Sequence, residues 1–218
     1  KGTLRQNRQG LIMALKHRSK LFPGMRVLIN GGIERTGSAT IEAAVPRHQL
    51  AEAVDLGRFQ SAAAGMMLSG QVEGAAKFKV DSGRIDSDVR FRFHRGRLHQ
   101  PARNLLLEGV DMQIRIDDIQ RIQSAPQQKL TVSRVTFGNL KAKNLSVDFQ
   151  VEPPGTLFVE KAQIDWSQGK VNAAAVRIVP GKDEYDVTLF CDRFNLAMVL
   201  EQLGAAEATT AVAIGPNP

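Results

Sequence analysis

The sequence predicts a mainly β fold in which long strands carry apolar side chains on one face and polar side chains on the other. Between Arg84 and His94 the odd positions are apolar except for Ser87, and the even positions are acidic or basic. A period of two places these two sets on opposite faces of a strand. The pattern recurs almost to the C-terminus, and only short stretches show helical spacing. The sequence therefore indicates a sheet with one apolar face.

Turn signals divide this pattern into strands. Asp81-Ser82-Gly83, Arg95-Gly96 and Pro153-Pro154-Gly155 are expected to be turns. Pro180-Gly181 separates the last two strands. We expect strands at 25–33, 38–45, 68–80, 84–94, 105–107, 110–117, 130–137, 140–151, 157–166, 170–179 and 184–191.

The pattern also suggests boundaries along the chain. Residues 1–24 form a basic, weakly patterned segment, and the β segment extends over 25–203. The tail at 204–218 is expected to be flexible or to begin a further structural repeat. Because the chain begins at Lys1 without a methionine, we interpret it as a piece of a longer protein.

Three stretches lose the period of two. In the first, Leu11, Ile12 and Leu15 are spaced like one face of a short helix that Pro23-Gly24 would end. Further short helices are expected near 47–56 and near 195–203, where Asn195 or Asp192 can act as N-cap. Arg47-His48-Gln49-Leu50-Ala51 lines up with Arg193-Phe194-Asn195-Leu196-Ala197. We interpret this similarity as a repeat of strands plus a short helix.

Composition restricts the function classes. The chain has 218 residues with a net charge of +7, which favours an anionic neighbour such as nucleic acid, phospholipid headgroups or polysaccharide. Nucleic-acid binding is disfavoured, since the basic residues do not cluster with aromatic ones. No apolar run is long enough to span a bilayer. The single cysteine, Cys191, lies on the apolar phase and is expected to be a small buried hydrophobe.

Motifs for catalysis, cofactors or metals are not convincing. Gly32 to Ser38 has the glycine spacing of a phosphate-binding loop, but Ser38 stands where a lysine is needed, so a hairpin turn is expected. His94 and His99 could face each other across a hairpin, but flanking arginines make a poor metal site. The sequence therefore predicts no catalytic residue, no cofactor and no metal site.

The apolar face itself is the remaining candidate. Base rates favour a second covering layer, as in a β-sandwich. However, two short helices cannot cover about ten strands, and an uncovered, curved apolar face would suit acyl chains. The residues expected to line such a groove are Val110, Met112, Ile114, Ile116, Leu145, Val147, Phe149, Val187 and Leu189.

The stretch from Leu106 to Leu203 resembles the AsmA-like bridge proteins of Gram-negative envelopes, most closely the YdbH-type branch, formerly labelled a dicarboxylate transport domain. The first 100 residues match more loosely. The strings that carry the resemblance are Leu107-Glu108-Gly109-Val110-Asp111-Met112-Gln113-Ile114, Gln128-Lys129-Leu130-Thr131-Val132, Gly138 to Phe149, Leu157 to Trp166, and Phe194-Asn195-Leu196-Ala197-Met198-Val199-Leu200.

This resemblance implies a long, twisted antiparallel sheet that curls into a taco-like groove. The whole protein would be anchored in the inner membrane, lie in the periplasm, and pass phospholipids to the outer membrane. Acyl chains would occupy the groove, and an envelope protein would bind at a sheet edge. The function expected is therefore a non-enzymatic segment of a phospholipid conduit that supports envelope integrity. The alternatives are a structural or adhesion β-sandwich that binds a partner by strand addition, and an enzyme acting on anionic polysaccharide.

Overall fold

The computed structural model describes residues 2–8, 10–19, 22–50, 52–59, 61–179, 181, 187–193 and 195–204. These residues form one open antiparallel sheet of 14 strands, which confirms the predicted mainly β class. The strands are β1 (Gly2–Gln6), β2 (Gly10–Arg18), β3 (Arg26–Glu34), β4 (Ala39–Gln49), β5 (Val54–Asp55), β6 (Met67–Asp81), β7 (Arg84–Gln100), β8 (Leu105–Asp118), β9 (Gln123–Ser124), β10 (Gln128–Phe137), β11 (Leu140–Glu152), β12 (Thr156–Trp166), β13 (Gly169–Ile178) and β14 (Leu189–Asp192).

Neighbours in the sheet follow chain order with two small exceptions. The order is β1-β2-β3-β4-β6-β7-β8-β10-β11-β12-β13-β14, while β5 pairs with β6 and β9 pairs with β8. β5 continues the position of β4 along β6, and β9 takes the place of β10 beyond Gln128. The sheet is a meander that curls without closing, so the expected groove-shaped sheet is confirmed.

The cross-strand register fixes which side chains share a face. Phe93 of β7 lies opposite both Val72 of β6 and Met112 of β8, and Met112 lies opposite Leu130 of β10. Residues directly opposite each other in an antiparallel pair point to the same side. We call the side with these residues the apolar face, and the opposite side, which carries Arg92 and Gln113, the polar face.

A row of β-bulges crosses the middle of the sheet. In β8 the register steps from Val110 to Glu108 and leaves Gly109 as an extra residue, with a φ of +63°. Ser133 of β10 lies opposite Gly109, and Asn144 of β11 follows in the same row. Related register shifts occur in the β4–β6 and β6–β7 pairs. Bulges bend strands and increase their twist, so an aligned row of them curls the whole sheet.

The bulges also preserve the apolar face on both sides of the bend. Residues three apart would point to opposite faces of a regular strand. Here Leu107 and Val110 of β8, and likewise Val132 and Val135 of β10, belong to one apolar cluster. The two arms of the bent sheet thus pack against each other through their apolar faces.

Glycines at the bend leave room for neighbouring side chains. The ring of Phe93 lies where a Cβ on Gly96 or on Gly70 would stand. A Cβ on Gly109 would meet the side chain of Ser133, and its positive φ is a conformation that favours glycine. Phe93 itself is 4% exposed and is part of the central cluster.

A single short helix, α1 (Leu196–Gln202), follows the last strand, as predicted near 195–203. The side chain of Asn195 caps it by accepting a hydrogen bond from the backbone N–H of Met198 at 3.2 Å. The tail expected at 204–218 lies outside the described residues after Gly204.

Both other predicted helices are wrong. Leu11, Ile12 and Leu15 lie in β2, where Leu11 and Leu15 face one side and Ile12 the other. Near 47–56, β4 continues to Gln49 and the chain then forms β5 and a 3-10 turn at Leu56–Arg58. The sequence similarity between 47–51 and 193–197 therefore does not mark a repeated helix.

Three strand predictions also need correction. Arg95-Gly96 is not a turn, because β7 continues through it to Gln100, so His94 and His99 lie on one strand. The strands expected at 105–107 and 110–117 are one strand that a bulge at Gly109 interrupts. Within the described residues β14 begins at Leu189 rather than at 184, and 184–186 lie outside the described residues.

The β-sandwich alternative is also wrong. All 14 strands belong to one sheet, so no second sheet covers the apolar face of the described residues. Near the central row, Leu50, Val54 and the partly buried Phe22 and Met25 pack with the apolar residues of the long strands.

On the polar face, ion pairs link neighbouring strands. Asp88 of β7 accepts from Arg90 at 2.7 Å and from Arg115 of β8 at 3.0 Å. The hydrogen bond from Arg90, followed by that from Arg115, holds the pKa of Asp88 below its usual range. All three side chains are partly exposed, so the gain in stability is small.

Gly109→Ala is expected to destabilise the fold by about 2–4 kcal/mol, because it adds backbone strain at positive φ and a clash with Ser133. Urea unfolding followed by circular dichroism measures the change. Gly138→Ala is the matched control, since Gly138 also has positive φ but no atom within 4 Å of an added Cβ. It should cost about 1 kcal/mol. Equal losses in the two variants would contradict a tightly packed bulge row.

The lowered pKa of Asp88 makes the stability of the fold depend on pH. Since the folded-state pKa of Asp88 is depressed, its stabilising contribution is present above the unfolded pKa of about 4 and is lost as pH falls through the folded value. Asp88→Asn should therefore lower stability at pH 7 by less than about 1 kcal/mol and make no difference well below pH 3. Urea midpoints at both pH values test this. Asp86→Asn, whose partner Arg84 is 84% exposed, is the control and should change little at either pH.

Candidate functional site

The apolar face forms continuous rows that run across the strands. One row passes from β6 to β14 without a polar side chain and consists of Val72, Phe93, Met112, Leu130, Val147, Ala162, Ala173 and Leu189. A neighbouring row towards the bend contains Val110, Val132 and Leu145. Successive strands are about 4.8 Å apart, so each row is an apolar track perpendicular to the strands.

The structure brings most of the predicted lining residues together on this face. Val110 and Leu145 flank Val132, and Met112 and Val147 flank Leu130. Farther from the bend, Ile114 lies opposite Phe91. These residues occupy adjacent strands and form one surface.

The other predicted lining residues lie at the margins of that surface. Ile116 lies opposite Val89, near the far end of β8. Phe149 is buried and lies opposite Gln128. Leu189 lies opposite Ala173 and is 57% exposed, since β14 is the last strand of the described sheet. Val187 does not lie on a strand, contrary to the prediction, and precedes β14 as an exposed residue.

Several residues that line the same face are missing from the sequence prediction. Phe91, Phe93, Leu130 and Val132 lie in the middle of the apolar rows. Their alternation was visible, so the same signal could have found them. The register that joins β7 and β10 to β8 was needed to place them beside the residues that were predicted.

Exposure of the apolar residues differs along the strands. Near the bend, Val132 is 1% exposed and Val110 is 8% exposed. Met112 and Ile114 are half-buried, and at the distant ends of the strands Ile85 is 36% exposed. The residues at the bend are therefore packed as core, whereas several apolar residues farther along the strands remain partly exposed in the groove.

Gln128 is a buried polar side chain on the apolar face, and its hydrogen bonds are satisfied. Gln128 is 7% exposed, and its Oε1 accepts from the backbone N–H of Arg115 at 2.6 Å. Its Nε2 donates to the carbonyl oxygens of Ala125 at 2.8 Å and Pro126 at 2.9 Å. Gln128 thus seals the gap where β9 replaces β10 and offers no free polar group to the groove.

Cys191 differs from its prediction. It lies on the apolar face opposite Val171, but it is an exposed free thiol rather than a buried hydrophobe. The reason is that β14 is at the margin of the described sheet, where no further layer covers the apolar face.

Within the described ranges no group of three or more His, Cys, Asp or Glu side chains is placed to hold a metal ion. His94 instead contacts Asp111 at 3.0 Å on the polar face. Among the described helices, none has the length and apolar character needed to cross a membrane.

Comparison with known proteins identifies the family of the chain. The model of the YdbH-like family, described as intermembrane phospholipid transport protein YdbH, matches residues 4–203. Searches of curated proteins and of solved structures found no match. Because the match covers nearly all of the described sheet and α1, the chain belongs to the YdbH-like family of intermembrane phospholipid transport proteins.

Proposed function

We propose that this chain is a segment of a hydrophobic conduit that carries phospholipids between the inner and outer membranes. The observation that carries the proposal is the uninterrupted apolar row from Val72 to Leu189, which crosses the sheet on an uncovered face. Large apolar surfaces without a covering layer mark sites for ligands or partners. The family of the chain makes phospholipid the natural occupant.

The mechanism is passive transfer along the rows. Acyl chains leave water for the groove, which is worth about 0.8 kcal/mol for each buried CH₂ group. Because every position in a row is apolar, successive positions bind an acyl chain about equally well. A lipid can then slide from strand to strand along the row without being held tightly at any one strand. Its headgroup remains at the open side of the groove.

The setting of the conduit is part of the same proposal. Transport between two membranes requires a position in the periplasm, and an inner-membrane anchor would hold one end of the whole protein there. In the described sheet, β1 and β14 each pair on one side only, so each offers free backbone groups. Strand addition at such an edge is how a further segment or an envelope protein would bind.

Catalysis is not part of the proposal. The family is one of lipid transport proteins rather than enzymes, and the apolar rows contain no reactive group. No cofactor is required for passive transfer.

Ile114→Asp is expected to abolish lipid retention while leaving the fold intact. Ile114 is half-buried on the apolar face, so a carboxylate there should cost about 1–3 kcal/mol of stability. It would also place a charge in the path of the acyl chains. Native mass spectrometry of the gently extracted protein measures phospholipid that co-purifies.

Gln113→Asp is the matched control, because Gln113 is the exposed neighbour on the polar face. It should retain lipid as the unmodified protein does. Loss of the folded circular-dichroism spectrum in Ile114→Asp would mean that the face is ordinary core, and equal lipid in all three proteins would contradict the conduit.

A photo-crosslinking side chain, p-benzoylphenylalanine, should form lipid adducts at position 147 but not at position 148. Val147 lies in the apolar row opposite Leu130, whereas Asp148 lies opposite Lys129 on the polar face. Irradiation of cells followed by mass spectrometry of the purified protein reveals the adducts. Adducts at both positions, or more at 148, would contradict acyl chains in the groove.

A further inference from the structure

The net charge of the chain is concentrated in its first three strands. Seven of the 29 lysines and arginines lie in residues 1–33, whereas none of the 22 acidic residues does. The remaining sequence therefore carries 22 basic and 22 acidic residues, and the whole net charge of +7 belongs to residues 1–33. An anionic partner is attracted mainly to this end of the sheet.

Four of these basic residues share the polar face of β1–β3. The register places Lys16 opposite Leu28, whose cross-strand row continues to Arg90 on the polar face. Ile12 lies on the same side of β2 as Lys16, and Arg5 lies opposite Ile12. We call this surface the basic face, and its charged members, all of them exposed, are Arg5, Lys16, Arg18 and Arg26.

Two arginines of the basic face oppose each other without a counter-charge. Arg18 of β2 lies directly opposite Arg26 of β3, and like charges at such positions destabilise an antiparallel pair. Within the described residues neither arginine forms an ion pair. On the neighbouring strands, Glu42 and Glu73 already form ion pairs with other residues. An anion from outside the described chain would relieve this repulsion.

An exposed apolar side chain lies within the basic face. Ile12 is 51% exposed and lies between the charges of Arg5 and Lys16 on the same side of the sheet. Surfaces that bind anionic bilayers combine basic groups, which meet the headgroups, with apolar side chains that enter the interface. The charge and the apolar exposure of the basic face therefore fit a lipid surface.

The basic face and the groove lie on opposite sides of the same strands. Leu15 of β2 points to the apolar face, where its row continues through Ile29 and Ala43. Contact between the basic face and a bilayer therefore leaves the groove unobstructed. The two surfaces depend on different side chains and can be tested separately.

We propose that the basic face docks the chain on an anionic phospholipid bilayer. The guanidinium and ammonium groups contact lipid phosphates, and Ile12 enters the interface between the headgroups and the acyl chains. This inference rests on the conduit proposal, to which it adds the surface that holds this part of the conduit against a membrane. No residue of the apolar face takes part in the contact.

Co-sedimentation with vesicles tests the proposal directly. The whole chain is mixed with vesicles of phosphatidylglycerol and phosphatidylcholine in equal parts, or with vesicles of phosphatidylcholine alone. We expect strong binding to the anionic vesicles, and its loss as NaCl rises from about 50 to 500 mM, because salt screens the attraction. Equal binding to both kinds of vesicle, or binding that salt does not weaken, would overturn the proposal.

Arg18→Gln/Arg26→Gln should weaken binding to anionic vesicles about 30-fold, since each basic residue at an anionic surface contributes about fivefold. Arg103→Gln/Arg121→Gln is the matched control, because it removes the same charge from two exposed arginines outside β1–β3. Within the described chain these two arginines also form no ion pair. The control should bind nearly as the unmodified chain does. Equal weakening in both double variants would mean that overall charge attracts the vesicles, and would overturn docking by the basic face.

The variant Arg18→Gln/Arg26→Gln should not destabilise the fold. Removing the opposed charges relieves repulsion between β2 and β3, so the thermal midpoint at low salt should stay the same or rise. Arg18→Lys/Arg26→Lys keeps both charges and should bind anionic vesicles like the unmodified chain. Loss of binding in this charge-conserving variant would contradict docking by charge.

Two further measurements distinguish membrane docking from another partner and from the conduit itself. Retention on immobilised poly-glutamate without binding to anionic vesicles would mean that the basic face takes an acidic protein, and would overturn the proposal. Ile114→Asp should lose co-purifying lipid yet still bind anionic vesicles, since Ile114 lies on the apolar face of β8. Arg18→Gln/Arg26→Gln should show the reverse pattern. Lipid retention without vesicle binding in the unmodified chain would overturn docking and leave the conduit standing.

Discussion

Alignment of the bulges in neighbouring strands is the constraint on which the groove depends. An extra residue in one strand moves every following side chain to the other face. If the extra residue Gly109 had no counterpart in Ser133, the apolar phases of β8 and β10 would disagree beyond the bend, and Leu107 and Val135 could not share a face. Because these extra residues lie in one row, β8, β10 and β11 switch phase together. The sheet bends there, and the apolar side chains remain on the inside of the bend.

The bend also explains how a single sheet can be stable without a second layer. Domains normally bury their apolar faces between two packed layers. Here the short arm beyond the bulges, with Leu68, Leu107 and Val135, packs on the longer arm with Val72 and Val132. Burial is most complete near that contact, where Val132 is 1% exposed. The outer parts of the long strands keep half-exposed apolar surface, which a closed sandwich would have buried.

Most strands from β3 onward were predictable from the sequence because each one alternates within itself, whereas β1 and β2 lie in the segment at 1–24 for which no strand was predicted. The bulges were not, since Arg95-Gly96 has the composition of a turn and in this fold β7 continues through it. The helices near the start and near residue 50 were wrong for a related reason. Leu50 and Val54 are four residues apart, which suits a helix, but an irregular link between β4 and β5 also brings both into the core. The pairing of β5 with β6 determined that this stretch is an irregular link rather than a helix. The spacing of apolar residues along the chain carries no information on that pairing.

The candidate site, too, was predictable within each strand but not between strands. Alternation placed Met112, Val147 and their neighbours on one face of their own strands, and the register then joined them into a row. The cavity beside α1 gave no signal in the sequence, because it exists only where the helix lies across the ends of β11, β12 and β13.

A polar side chain on the apolar face does not have to interrupt the groove. Gln128 lies on the apolar face with its amide fully used by backbone groups, so it closes a gap in the sheet without repelling an acyl chain. A satisfied polar group leaves an apolar surface intact, because it keeps no free donor or acceptor that would hold water there. Gln128 therefore closes the sheet where β9 replaces β10 without interrupting the apolar rows that run beside it.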